Sequence, residues 1–165
     1  MYGNIIHKVM QYLDFKYCTS REAILAQISQ IEAKGILTRD EVNKICVDDI
    51  VRFFESEYGR MLQDGAACLR EYKFSILDDG GKYGEGLEGE KVLLQGVVDC
   101  AILEDDGITV IDFKTDAVTE DTVYDRAKEY AQQVLAYSNA LGRIFEKPVK
   151  SRFLYFFRIG KYVKI

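Results

Sequence analysis

The chain has 165 residues, 48% hydrophobic and 30% charged, with a formal net charge of −5 and four cysteines. That length suits one domain burying about two thirds of its unfolded surface, and the composition is that of an ordinary globular protein. No stretch approaches the ~20 apolar residues of a membrane-spanning helix, and no signal-peptide pattern opens the chain. Cys18, Cys46, Cys68 and Cys100 are scattered and form no C-x-x-C pair, so structural zinc or an iron–sulfur cluster is not expected. The expectation is a cytoplasmic protein with buried thiols and no membrane partner. Charge is uneven: from Arg143 onward seven basic residues face one acid, Glu146. A basic end suits a polyanion, and equally a solvated strand face.

Tyr2 to about Leu13 reads as a helix with Ile5, Ile6, Val9, Met10 and Leu13 on one side, and it carries His7, the single histidine. A functional helix this near Met1 is expected of a fragment from a longer polypeptide. Thr19-Ser-Arg-Glu22 has the capping-box pattern and opens a second helix, with Ile24, Ile28 and Ile31 inward and Gly35 ending it. Thr38-Arg-Asp-Glu41 repeats the device for a third helix bearing Val42, Ile45, Cys46, Ile50, Phe53 and Phe54 and stopping near Gly59. All of this reads as scaffold.

Arg70 to Leu77 alternates as a half-buried strand, with Tyr72, Phe74 and Ile76 one way and Glu71, Lys73 and Ser75 the other. Asp78 to Gly89 is glycine-rich and polar, without phosphate-cradle spacing, and reads as a mobile connection. Two apolar runs then flank the turn signal Glu104-Asp-Asp-Gly107, which predicts a β-hairpin. Asp99 interrupts the first run, Asp112 and Lys114 the second. A two- or four-residue loop centred between Asp105 and Asp106 sets Asp99 opposite Asp112; a turn at Asp106-Gly107 sets it opposite Lys114. Either register puts all three on one face, with facing Cβ atoms roughly 5 Å apart. A charge at Asp99, among Val97, Val98, Ala101 and Ile102, is costly to bury unless paired or bound to metal. Two carboxylates and an ammonium on one apolar sheet read as a metal-and-proton site.

After the hairpin, Thr119 or Thr122 caps a long helix closing at Gly142, with Val123, Ala127, Tyr130, Val134, Tyr137 and Leu141 as its inward stripe. Gln133 and Tyr137 are an i, i+4 pair and lie one above the other. Lys150 to Phe157 and Lys161 to Ile165 read as two late strands. Helices, three strands, a helix and two strands predict an α/β sheet covered by helices on both faces.

The stretch Gly96-Val-Val-Asp99, followed by Ile111-Asp112-Phe-Lys114-Thr-Asp116, resembles the core of the PD-(D/E)XK nuclease superfamily, with Asp in place of Glu before the apolar residue and lysine. Three further stretches resemble its RecB-like branch: Gly3-Asn-Ile-Ile-His7, Arg70-Glu71 with Phe74, and Tyr130-Ala-Gln-Gln133 with Tyr137. All five occur in the family's order across nearly the whole chain. Their wording is most similar to the C-terminal nuclease domains of the A-type subunits of AddAB-type ATP-dependent helicase–nucleases. The B-type subunits of that family carry four cysteines for an iron–sulfur cluster, a spacing this chain lacks.

The resemblance implies a restriction-endonuclease-like mixed central sheet flanked by helices on both faces. It implies that His7, Asp99 and Asp112, with the backbone carbonyl of Phe113, hold Mg²⁺, and that Mn²⁺ can substitute. Lys114 would orient or deprotonate the attacking water, and Glu71 would bind a second metal or order a ligand water. Gln133 and Tyr137 would position the DNA backbone and the acids. ATP would serve only the helicase part, which this sequence does not contain. The implied partners are DNA and the second subunit of the heterodimer, and the implied task is cutting the strand ending 3′ during double-strand break repair. The alternative is a non-catalytic DNA-binding or docking module that keeps the fold.

Overall fold

A computed structural model describes residues 2–82 and 84–165. Among these, five strands form one sheet in chain order: β1 (Cys68–Asp79), β2 (Lys91–Glu104), β3 (Gly107–Lys114), β4 (Val149–Phe156) and β5 (Lys161–Lys164). Neighbours run antiparallel except β3 and β4, which are parallel. A parallel pair needs a long crossover, and α6 (Val123–Ile144) supplies it against one face. The other face carries α1 (Tyr2–Tyr12), α2 (Arg21–Ala33), α3 (Arg39–Val42), α4 (Val47–Glu55) and α5 (Glu57–Gln63). The result is an α/β sheet, helix-covered on both sides as the order of elements predicts and mixed as the resemblance implies. No helix among the described residues is long and apolar enough to cross a membrane.

Strand alternation divides the core in two. Ile111 and Phe113 pack with Ile5, Ile6, Val9 and Phe53 on the α1–α5 side. Phe74, Val98, Ala101 and Val110 pack with Ala140 and Leu141 of α6 on the other. The predicted inward stripe of α1 is buried throughout, and that of α6 is buried at Val123, Ala127, Val134 and Leu141 and half-buried at Tyr130 and Tyr137. Beyond the end of β3, the outer halves of β1 and β2 continue together as a ribbon, from Tyr72↔Val98 to Asp79↔Lys91.

Four expectations about element ends are corrected. The second helix is capped by Ser20, which accepts from Ala23 N–H at 3.1 Å, not through a Thr19–Glu22 box. The Thr38–Glu41 capping box forms, yet the helix it opens ends at Val42, and the expected third helix is three pieces. Ser56 makes the second break: its hydroxyl donates to Phe53 O at 2.5 Å and accepts from Gly59 N–H at 3.2 Å, turning the chain into α5. Gly59 therefore lies inside a helix rather than at its end, pressed so close that a Cβ there would sit 2.0 Å from Phe53 O. Gly142 likewise lies inside α6, which runs on to Ile144; the left-handed residue beyond it is Glu146, with φ 52°.

The Asp78–Gly89 connection is tied down at its base. Gly80 N–H donates to Glu90 O at 2.9 Å, and the buried Asp78 carboxylate receives Lys82 Nζ and Arg143 Nη1, each at 2.8 Å. Tyr83 of this stretch lies outside the described residues.

Candidate active site

The β2–β3 hairpin turns on Asp105-Asp106, so that Glu104 pairs with Gly107 and Cys100 with Ile111. This is the first of the two registers, the one that brings Asp99 level with Asp112. Alternation on β3 keeps Asp112 and Lys114 on one side. Asp99 arrives differently. The alternation of β2 slips: Val98 and Ala101 both pack toward α6 while Cys100 packs toward α1–α5. The slip falls on Asp99, whose Oδ2 accepts the Phe113 N–H at 2.6 Å where the two backbones have stopped pairing. Its carboxylate thus fills the seam between β2 and β3. Parity alone does not carry it to the others; a local departure from regular strand does.

A matching departure occurs on β1. Arg70 reaches the α1 side, donating to Leu13 O at 2.5 Å, while Tyr72 packs on Phe145 of α6. Glu71 between them has φ 46°, a left-handed conformation that costs a non-glycine residue about 1–3 kcal/mol. That strain turns the Glu71 carboxylate toward α1. There His7, fixed by the buried stripe of its helix, places Nδ1 3.1 Å from Asp99 Oδ1 and 3.4 Å from Glu71 Oε1. Its Nε2 donates to Phe113 O at 3.2 Å. One ligand atom from each of His7, Glu71 and Asp99 lies within 4.8 Å of the others. Asp112 stands outside that cluster, with Oδ2 2.6 Å from Lys114 Nζ. Both acids are 8% exposed.

The electrostatics follow. Burial pulls the His7 imidazole down, but the Asp99 hydrogen bond and charge, with Glu71 and the Phe113 carbonyl, more than offset it and push it up to about 9. The protonated ring thereby sets a positive charge among three oxygens. Burial raises Asp112 to about 6, and the Asp99 charge adds to this while Lys114 opposes it. Burial and Asp99 also raise Glu71. Asp112 Oδ2 is buried, and the Lys114 ammonium 2.6 Å away compensates its charge.

Gln133 and Tyr137 form the expected helical pair, Gln133 Nε2 donating to Tyr137 OH at 3.1 Å. They sit over the ribbon, where the Tyr137 ring packs edge-on to Phe74 at 5.2 Å and lies over Gly96. Three neighbours of Lys114 have no functional role that the sequence reveals. Its Nζ lies 4.0 Å from the centre of the Tyr130 ring, and the Tyr130 hydroxyl donates to Asp116 at 3.0 Å, beside Arg126. The one signal in the chain is proximity to the motifs, Asp116 two residues after Lys114 and Tyr130 three before Gln133.

Residues 1–163 match the PD-(D/E)XK nuclease superfamily. The chain is 35% identical over 173 aligned positions to the A-type subunit of the ATP-dependent helicase/nuclease of Bacillus cereus, covering 99% of this chain and 14% of that protein. It is 38% identical over 165 positions to the protein of the same name from Bacillus cytotoxicus, covering 94% of this chain and 13% of that protein. The chain therefore spans about one seventh of the length of these curated relatives. With nearly every residue matched, and with the paired acids and lysine on neighbouring strands of a mixed sheet, this chain belongs to the PD-(D/E)XK nuclease superfamily.

Proposed function

We propose that this chain is a Mg²⁺-dependent deoxyribonuclease domain that hydrolyses phosphodiester bonds of single-stranded DNA. In this reading it is the C-terminal piece of a longer cytoplasmic ATP-dependent helicase–nuclease. It pairs with a B-type subunit, cutting the 3′-ended strand in double-strand break repair. The observation that carries the reading is the meeting of His7, Glu71 and Asp99 within 4.8 Å, beside the buried Asp112–Lys114 pair. The donor set suits a hard divalent cation, because carboxylate and carbonyl oxygens dominate it. One imidazole nitrogen also suits Mn²⁺. His7, Asp99, Asp112 and the Phe113 carbonyl would hold the ion, with Glu71 serving a second ion or a ligand water. When bound, the cation lowers the pKa of a ligated water and polarises a phosphate oxygen.

The other groups act directly on substrate and water. The Lys114 ammonium orients the attacking water and offsets negative charge growing around phosphorus. Gln133 and Tyr137 hold the backbone of the strand, and the basic residues from Arg143 onward offer phosphate contacts that fix register. Without a motor to feed it, the isolated domain cuts weakly and lets go often.

The test is degradation of single-stranded DNA by this 165-residue chain in Mg²⁺ or Mn²⁺, against a chelator control. Asp112→Ala and Lys114→Ala are expected to lower cutting by roughly 10²–10³-fold with melting temperatures near wild type. Wild-type cutting rates in either variant would end this reading. A folded chain giving no heat on titration with Mn²⁺ would favour the docking module instead.

A further inference from the structure

We propose that Tyr130 is a positioning residue for the Lys114 ammonium, itself locked in place by Asp116 and Arg126. The inference rests on the nuclease reading for the role of Lys114, and on geometry alone for the contact. Lys114 is the last residue of β3, and its four-carbon stem has many rotamers to lose. Yet only 15% of the side chain is exposed, so something holds it.

Asp112 holds the ammonium from one side, with Oδ2 2.6 Å from Nζ. The Tyr130 ring holds it from another, its centre 4.0 Å from Nζ, well inside the ~6 Å range of cation–π attraction. A ring face draws the charge without accepting a hydrogen bond in the way a carboxylate does. The N–H groups of Lys114 therefore stay available for water or phosphate.

The ring is in turn pinned by its hydroxyl. Tyr130 OH donates to Asp116 Oδ1 at 3.0 Å and accepts from Arg126 Nη2 at 2.8 Å. Arg126 Nε closes the triangle on the same Asp116 Oδ1 at 2.7 Å, and its guanidinium carbon lies 4.9 Å from the ring centre. Asp116 leaves the sheet two residues after Lys114, while Arg126 and Tyr130 stand one turn apart on α6. The triangle thus ties the exit of β3 to the crossover helix with the lysine held between them.

Two measurements test this. In the wild-type chain, the NMR resonances of the Lys114 ε-methylene, assigned by their loss in Lys114→Ala, should be shifted upfield by the ring current. The shift should be smaller in Tyr130→Phe, which keeps the face and loses the pin, and vanish in Tyr130→Leu, which removes both. In steady-state cleavage, Tyr130→Leu should lower kcat about tenfold and leave KM for DNA near wild type, with Tyr130→Phe falling between the two. An unshifted Lys114 in the wild-type chain, which needs no variant to fold, overturns the inference, as does wild-type kcat in a folded Tyr130→Leu. A shifted Lys114 in a wild-type chain that cuts no DNA overturns the nuclease reading instead.

Discussion

Single atoms decide how the site is assembled. Gly96 opens the stretch that ends in Asp99, and the reason for a glycine there is space: a Cβ would lie 2.7 Å from the Tyr137 ring and 2.9 Å from Phe74. Gly96→Ala is therefore expected to push the ring off the ribbon, break the Gln133–Tyr137 hydrogen bond and cost about 1–3 kcal/mol. Urea denaturation of the variant checks it. Asp112 and Lys114 were legible from alternation, because a strand fixes which side chains share a side. Glu71 was legible as a candidate only by resemblance, since nothing in Arg70-Glu-Tyr announces a left-handed residue at its centre. Asp99 lay between. The turn left two registers for it, of which the structure takes the one level with Asp112, and the slip that turns its carboxylate into the seam was not legible.

Among the elements, helix faces were readable and helix ends were not. Periodicity identified the buried stripe of α1 residue by residue and four of the six positions of that of α6, because a mispaired face would expose several apolar side chains at once. Glycine misled in both directions. Gly59 and Gly142 look like terminators, yet each marks a close approach of backbone from elsewhere, Phe53 O in one case and Lys147 O in the other. Sequence alone does not separate those two uses. Gly59→Ala has no soft neighbour to displace, as the atoms a Cβ meets are the Phe53 carbonyl at 2.0 Å and Phe54 Cα at 2.6 Å. Its cost is expected at or above the ~3 kcal/mol top of the overpacking range, read as a lowered urea midpoint. Phe53 stacks edge-on against Phe113 at 5.3 Å, so a shifted α4 also loosens the floor under the Phe113 carbonyl.

For the whole molecule, the cluster makes stability depend on pH in one direction. His7 rises from 6.5 to about 9 on folding, so its contribution is complete below 6.5 and is lost as pH climbs through 9. Asp112 rises from 3.8 to about 6, so folding increasingly disfavours its ionised form across that interval. Both lower stability as pH increases through those intervals, and in chelator the His7 part is expected as a melting temperature that falls between pH 6.5 and about 9. Excess Mn²⁺ should flatten or reverse the trend, because the ligands it takes are the deprotonated ones; thermal scans at several pH values, with and without the ion, decide it. The fold class was legible because each strand and helix announces itself locally. The union of His7, Glu71 and Asp99 was not, because it depends on one helix meeting two strands far along the chain. The rung that Asp99 lends to Phe113 also constrains descent. At that position hydrolysis and architecture share a single carboxylate, so evolution could not have silenced the first by altering it without also loosening the second. A descendant that gave up cutting but kept its shape would be expected to have changed at Asp112 or Lys114 and to have left Asp99 alone.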